Sequence, residues 1–366
     1  MNGVEMREIR EGLARLSIPD IPRGKGPGKN TGLPFYNPTM EKNRDMTVLL
    51  LRALDRSDIG FLDGLSATGV LGIRVALEAA GTKVSCNDWN EDAVKLILKN
   101  AEMNGVKLEG VTNLKLQAHL SKQSYEFIDI DPFGTPLPFL DIAFQAAPRS
   151  GLIGVTATDT AVLCGAQANA CVRRYESRPL HVDCCKEVGL RILIGCCARV
   201  AARYDKAIKP ILSFSTDHYF RVIMAVRAGA KKADDAVRRL GYIDSDAETG
   251  ERRLSIGMPA AGNSAGPLWA DSLLDAEIVS RLKPLQHMRH ETSQLVELLK
   301  AEVGAPHLFY DSDFLSRKLR MSPPRLPELI DALRAAGFLA VRTHFSPEGV
   351  KTDAPWVELV RIYSNV

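Results

Sequence analysis

No apolar run in this chain of 366 residues approaches the roughly 18 that a membrane helix requires. The first fifteen residues mix Glu with Arg and hold no signal-peptide core, so the cytoplasm is the expected location and no membrane partner is expected. Cysteine is sparse at seven residues, and none stand in a C-x2-C pair. The adjacent pairs Cys184-Cys185 and Cys196-Cys197 bracket Lys186 to Ile194, which has amphipathic helical spacing. They read as small buried hydrophobes rather than zinc ligands, and no disulfide is expected. A G-x-G-x-x-G fingerprint is also missing. Excess charge is slight, +3 from 47 basic and 44 acidic residues, and does not by itself announce a nucleic-acid partner. The basic residues are clustered, however: Arg23, Lys25 and Lys29; Arg173, Arg174 and Arg178; Arg317, Lys318 and Arg320. Such clusters can hold phosphates, and equally suit a solvated surface.

A hydrophobic share of 45% and a charged share of 25% are those of a globular protein long enough for two or three domains. The most informative stretch is Phe127-Ile128-Asp129-Ile130-Asp131-Pro132-Phe133-Gly134-Thr135-Pro136. Its apolar run reads as a buried strand that breaks at Pro132. A carboxylate, a proline and an aromatic ring therefore meet at a strand end, where open α/β sheets bind ligands. The ring suits stacking on a planar base and the acid suits its exocyclic amine. An ordinary turn capped by Asp131 is the plain alternative.

Residues Met6 to Leu16 read as a helix that ends at Pro19 and Pro22, followed by a basic glycine-rich loop, Arg23 to Gly32. Asn37-Pro38 opens a helix through Leu54 that carries Arg44, with Phe35 and Tyr36 on the loop before it. Gly60 to Gly69 reads as a strand ending at Asp63, a small-residue turn, and a helix from Val70 to Ala79 bearing Arg74. Lys83 to Asn90 is a second strand ending at Asp88, near the spacing of a ribose-binding acid. A helix (Glu91 to Met103), strands at Leu114–Ala118 and Tyr125–Ile130, a helix (Leu137 to Ala146) and a strand (Leu152 to Asp159) continue the alternation. A long helical region (Arg178 to Tyr204) and an antiparallel pair (Pro210–Ser215, Phe220–Val226) end the sheet. The pattern predicts a mostly parallel sheet with helices on both faces. Residues 229–266 read as a linker, and Gly266-Pro267-Leu268-Trp269 as a return to a core. Helices at Ser312–Leu319 and Pro327–Ala336, with strands at Phe338–His344 and Trp356–Tyr363, follow winged-helix order.

Phe35-to-Asp45, Asp63-to-Arg74, Asn87-Asp88, Ile128-to-Pro136, Gly154-to-Thr160, Cys171-to-Pro179, Asp217-to-Val222, Gly266-to-Trp269, Arg342-to-Phe345 and Lys351-to-Pro355 resemble, in order, the tRNA (guanine-26-N2)-dimethyltransferase family. The resemblance covers nearly the whole chain. It implies an α/β fold: a Rossmann-like class I methyltransferase sheet, with a second, smaller α+β domain ending in a winged-helix-like segment. It implies domains at 1–228, with a basic extension at its start, and at 229–366 for tRNA binding. The implied cofactor is S-adenosyl-L-methionine (AdoMet), and the implied partner is tRNA, bound by a monomer.

By the same resemblance, Asp131, Pro132 and Phe133 form the catalytic motif. Asp131 accepts a hydrogen bond from the guanine amine, while Phe133 and Phe35 sandwich the base. Arg44, Asp63, Arg74 and Asp88 bind the cofactor, with Asp88 on the ribose hydroxyls and Gln117 and Ala118 beside the adenine. Two departures stand out. Gln117 replaces the family's usual acid, which implies weaker cofactor binding at most. The zinc knuckle that many members carry before Gly-Pro-Leu-Trp has no counterpart in Gly241 to Ala265, so no metal is expected. Two rivals remain: a methyltransferase for another amino group, and a nucleic-acid binder that has lost catalysis.

Overall fold

The computed structural model describes residues 4–20, 32–216, 218–259 and 264–366. The basic loop expected at Arg23 to Gly32 lies almost wholly outside them.

The chain opens on a hairpin, β1 (Met6–Glu11) and β2 (Ala14–Pro19), rather than the expected helix. Ala14, Leu16 and Ile18 are buried at alternate positions, which is the strand period, and pack with Val70 and Ile73. Gly12 takes the positive φ of 55° that the two-residue turn needs. Helix α1 (Glu41–Ala53) follows, and Arg44 and Asp45 in its first turns are buried along with its apolar face.

The sheet then forms as the alternation predicts. Its parts are β3 (Ile59–Asp63), α2 (Val70–Glu78), β4 (Thr82–Asn87), α3 (Glu91–Met103), β5 (Gly110–Thr112), α4 (Leu116–Leu120), β6 (Phe127–Ile130), α5 (Leu137–Ala146) and β7 (Ser150–Ala157). Two short helices, α6 (Thr160–Leu163) and α7 (Ala168–Tyr175), lead to α8 (Cys185–Ala202) and the strand pair β8 (Lys206–Thr216) and β9 (Tyr219–Ala228). Seven strands line up as β5-β4-β3-β6-β7-β9-β8, and β9 alone runs against the rest. Strand order reverses between β3 and β6, so a crevice opens beyond the ends of those two strands. The strand expected at Leu114–Ala118 is instead α4: Leu116 and Leu120 are buried four residues apart, the helical spacing.

Residues 229–266 are not a linker. They supply α9 (Ala230–Val237), β10 (Leu240–Ser245), β11 (Arg252–Ile256) and the start of β12 (Ala265–Trp269), with the three strands paired as β11-β10-β12. The apolar core runs on without a break at residue 228, since Leu240, Ile243, Leu268 and Trp269 join Leu190, Ile194 and Cys197 of α8 in one cluster. After α10 (Ala276–Ser280) and α11 (His290–Glu302) come β13 (Tyr310–Asp311), α12 (Ser312–Leu319), α13 (Leu326–Ala335), β14 (Ala340–Arg342), β15 (Gly349–Thr352) and α14 (Trp356–Tyr363). The terminal strand expected at Trp356–Tyr363 is helix α14, burying Leu359, Ile362 and Tyr363 on one face. The hairpin closes one element earlier, with Arg342 opposite Val350. A buried ionic cluster ties this end to the sheet. Lys351 Nζ lies 2.9 Å from Glu187 of α8 and 3.5 Å from Glu302 of α11, and His344 Nδ1 lies 2.6 Å from Glu302.

Candidate active site

Three acids stand at the mouth of the crevice because three neighbouring strands end there. Asp63 closes β3, Asp88 follows β4 by one residue, and Asp131 follows β6 by one residue. Asp129, within β6, is the register partner of Asp63. Packing like charges this closely out of water disfavours ionisation. Burial, then Asp129, pushes the Asp63 carboxyl up to about 8, although Gly72 N–H donates to it at 3.1 Å. Burial and Asp129 likewise raise Asp131 to about 6 against the pull of Arg221 and Arg44. Arg221 of β9 is the internal counter-charge: its Nη2 pairs with Asp129 Oδ1, and both side chains are fully buried. Gly154 of β7 makes room for that pair; a Cβ there would lie 2.7 Å from Arg221 Nη2.

The loop after Asp131 is fastened to the end of β7. Gly134 N–H donates to Thr158 Oγ1 at 2.8 Å, and Thr158 N–H returns a bond to Gly134 O at 2.9 Å. The Thr135 hydroxyl lies 2.9 Å from Tyr175 OH, which donates to Asp159 at 2.8 Å. Pro132 is buried, and so presents Phe133 outward at 54% exposure. Phe35 meets Phe133 across the crevice, with ring centroids 5.4 Å apart.

The expected cofactor residues divide. Asp88 sits at the rim, its carboxylate accepting from Ala67 N–H and Asn90 N–H at 2.9 Å each. Gln117 and Ala118 are exposed in the first turn of α4, and Gln117 Nε2 donates to Pro138 O at 3.1 Å, leaving the amide oxygen to accept. Arg44 is gripped by a protein carboxylate: Nε and Nη2 reach Glu11 at 2.6 and 2.5 Å, and Nη2 also reaches Asn37 O at 3.0 Å. The structure does not bring Arg74 to the crevice. It is fully buried beneath the hairpin, bonded to Glu11 at 3.0 Å, Asp45 at 2.6 Å and Glu78 at 2.8 Å. Those three carboxylates engage its donors.

Sequence reasoning passed over Glu11, Asn43, Thr47, Thr156 and Arg221. Glu11 was lost with the misread helix. Arg221 carried a signal: one cation in the apolar run Phe220–Val226 and one acid in Phe127–Ile130 each need a buried partner.

The chemistry of this donor set suits a cationic ligand. Asp88, Asp129 and Asp131 against one internal arginine leave an excess of negative charge at the strand ends, where a sulfonium and an ammonium would favour the ionised carboxylates that burial and Asp129 oppose. Among the described residues, no group of three or more His, Cys, Asp or Glu is placed to hold a metal ion.

The strand order, the acids at the ends of β3, β4 and β6, and the small-residue turn after Asp63 define a Rossmann-like methyltransferase. Residues 18–364 match the family model described as N2,N2-dimethylguanosine tRNA methyltransferase. The tRNA (guanine(26)-N(2))-dimethyltransferase of Pyrococcus horikoshii is 40% identical over the full length of both chains, and that of Methanosarcina acetivorans 36% over 97% of this chain and 98% of its own. Among solved structures, Trm1 from Pyrococcus horikoshii in complex with S-adenosyl-L-methionine superposes with a TM-score of 0.88 at 38% identity, covering 97% of this chain and 99% of that one. The chain belongs to the N2,N2-dimethylguanosine tRNA methyltransferase family and is an AdoMet-dependent enzyme of that family.

Proposed function

We propose that this enzyme moves methyl groups from AdoMet to the exocyclic N2 of guanine 26 in tRNA, first giving N2-methylguanosine and then N2,N2-dimethylguanosine. The observation that carries the reading is Asp131, an acid raised to about 6 beside an exposed aromatic ring at the switch point of the sheet.

AdoMet, when bound, supplies an electrophilic methyl on a sulfonium sulfur. Asp88 would hold its ribose hydroxyls, Gln117 and Ala118 would border its adenine, and Asp63 with Arg44 would complete the pocket. The N2 lone pair of guanine is delocalised into the ring and is a poor nucleophile. Asp131 accepts a hydrogen bond from N2–H as the amine pyramidalises. As the N–C bond forms and the S–C bond breaks, the proton passes to Asp131. An acid near 6 is ionised at neutral pH yet basic enough for that task. Alignment of N2 with the methyl is the larger effect. The base must leave the tRNA stack, at a cost of a few kcal/mol. Stacking on Phe133 and Phe35 offsets this by about 1–3 kcal/mol per base.

Exposed Arg173 and Arg174 end α7 beside Asp159 and suit tRNA phosphates near the crevice. The helix–helix–hairpin of α12, α13, β14 and β15, with Arg317, Lys318 and Arg320 exposed at the end of α12, suits a second tRNA contact. The reading takes residues 229–366 as that tRNA-binding part and the enzyme as a cytoplasmic monomer.

Replacing Asp131 by Ala tests the assignment. Methyl transfer should fall by at least about a hundredfold, while AdoMet still raises the melting temperature and tRNA is still retained on a gel. Wild-type turnover by the variant would remove Asp131 from the mechanism.

A further inference from the structure

The Asp131 carboxylate is held from below by a buried polar chain. Asn43 Nδ2 of α1 donates to Asp131 Oδ2 at 3.3 Å. The same Asn43 amide also reaches Thr156 of β7, whose side chain favours the ionised form of that carboxylate. Thr156 Oγ1 in turn accepts from Arg221 Nη1 at 3.1 Å and lies 3.3 Å from Asn43 Nδ2. Arg221 Nη2 pairs with Asp129 and donates to Thr47 Oγ1 at 2.9 Å, and Thr47 donates to the Asn43 carbonyl at 3.0 Å. Asn43, Thr47, Thr156, Asp129 and Arg221 are each no more than 1% exposed. The chain spans α1, β6, β7 and β9, so it locks the carboxylate to the sheet and to the helix at once. The opposite setting of the Asn43 amide would point its oxygen at the Asp131 carboxylate, which fixes the nitrogen on that side.

We propose that Asn43 and Thr156 are positioning residues for methyl transfer: Asn43 fixes the rotation of the Asp131 carboxylate, and Thr156, which accepts from both Asn43 and Arg221, links that amide to the charge of Arg221. The proposal rests on the reading of Asp131 as the proton acceptor.

The groups that face Asp131 act in both directions. Burial and Asp129 from β6 oppose its ionisation, while Arg221 from β9, Arg44 from α1 and the Thr156 side chain from β7 favour it; Asp63 from β3 faces it too, but raised to about 8 it is still protonated as Asp131 titrates. Deleting a donor to the ionised form raises the carboxyl. A carboxyl higher by one unit leaves about a tenth as much base well below its midpoint and an equal amount well above it.

The test is the single-turnover rate on guanine-26 tRNA, from about pH 5 to about pH 9, for the wild type, Thr156→Val, Thr156→Ser and Asn43→Ala. Valine keeps the shape and removes the hydroxyl; serine keeps the hydroxyl. Thr156→Val should lose about tenfold at pH 5, recover most of the loss at pH 9, and shift the acid limb up by about one unit, with the KM for tRNA unchanged. Thr156→Ser should restore the wild-type midpoint. Asn43→Ala should shift the limb in the same direction and provides the reading should the valine variant fail to fold. Wild-type midpoints in the folded Thr156→Val and Asn43→Ala variants would overturn the proposal. A dead Asp131→Ala alongside those midpoints would remove only the positioning role; an active Asp131→Ala would remove the acceptor role itself.

Discussion

Phe35 and Phe133 rest against each other, with ring centroids 5.4 Å apart and planes inclined at 56°. A base between two rings needs about 7 Å, two contact distances of roughly 3.5 Å. The pair is therefore closed to a sandwich as it stands, and a guanine enters only as the rings part. Phe133 is anchored through the Gly134–Thr158 bonds, whereas Phe35 lies on the loop before α1. Phe35 is the ring that would swing. Phe35→Ala should raise the KM for tRNA by about 5- to 150-fold, the 1–3 kcal/mol of one stacking partner, and leave the Kd for AdoMet within about twofold. Steady-state kinetics with both substrates checks this; a change confined to AdoMet would count against stacking.

Glu11 is the keystone of the buried ion network. Burial alone would raise its carboxyl, but Arg44, then Arg74 and the Tyr36 hydroxyl, outweigh it and hold the group at about 2, below its ordinary 4.5. A carboxyl depressed in the folded state adds stability above its unfolded pKa and loses it as pH falls through the folded one. The contribution of Glu11 should be whole above about pH 4.5 and decline toward pH 2. Glu11→Gln leaves two arginines short of a charge and should cost about 3–5 kcal/mol at neutral pH. Urea titrations of both proteins at neutral pH and near pH 3 should show the gap narrowing with acid. A gap that stays constant would refute the ionic account.

Gln117 is exposed with its amide oxygen left to accept, and the proposed reading sets that oxygen beside the adenine. A carboxylate makes the stronger bond to an adenine amine, by about 1 kcal/mol. Gln117→Asp should therefore tighten AdoMet binding about fivefold without changing the maximal methylation rate. Calorimetric titration gives the affinity, and weaker binding would place the adenine elsewhere.

The sheet was legible because its signals are local. Buried parallel strands read as apolar runs, Phe127–Ile130 among them, and α3 and α5 lie where the strand–helix alternation put them. That Asp63, Asp88 and Asp131 stand at strand ends was legible because each closes such a run. The burial of Arg74 away from the crevice was hidden for a non-local reason. Its helix was read correctly, but what lies over that helix is the β1–β2 hairpin, and Ala14, Leu16 and Ile18 alternate over too few residues to outweigh a helix reading of Met6 to Leu16. With the hairpin went Glu11, and with Glu11 the fact that both Arg44 and Arg74 already have a carboxylate. The helix α14 failed for the reverse reason: Trp356-Val357-Glu358-Leu359-Val360 is rich in strand formers, and tertiary burial of Leu359, Ile362 and Tyr363 decides for the helix.

The most direct test of the account is mass analysis of nucleosides from unmodified tRNA after incubation with the protein and AdoMet. The account predicts N2-methylguanosine, then N2,N2-dimethylguanosine, from a transcript with guanine at position 26, and neither product when that guanine is replaced by adenine. Methylation that persists in the adenine transcript, or its absence from both despite bound AdoMet, would contradict it.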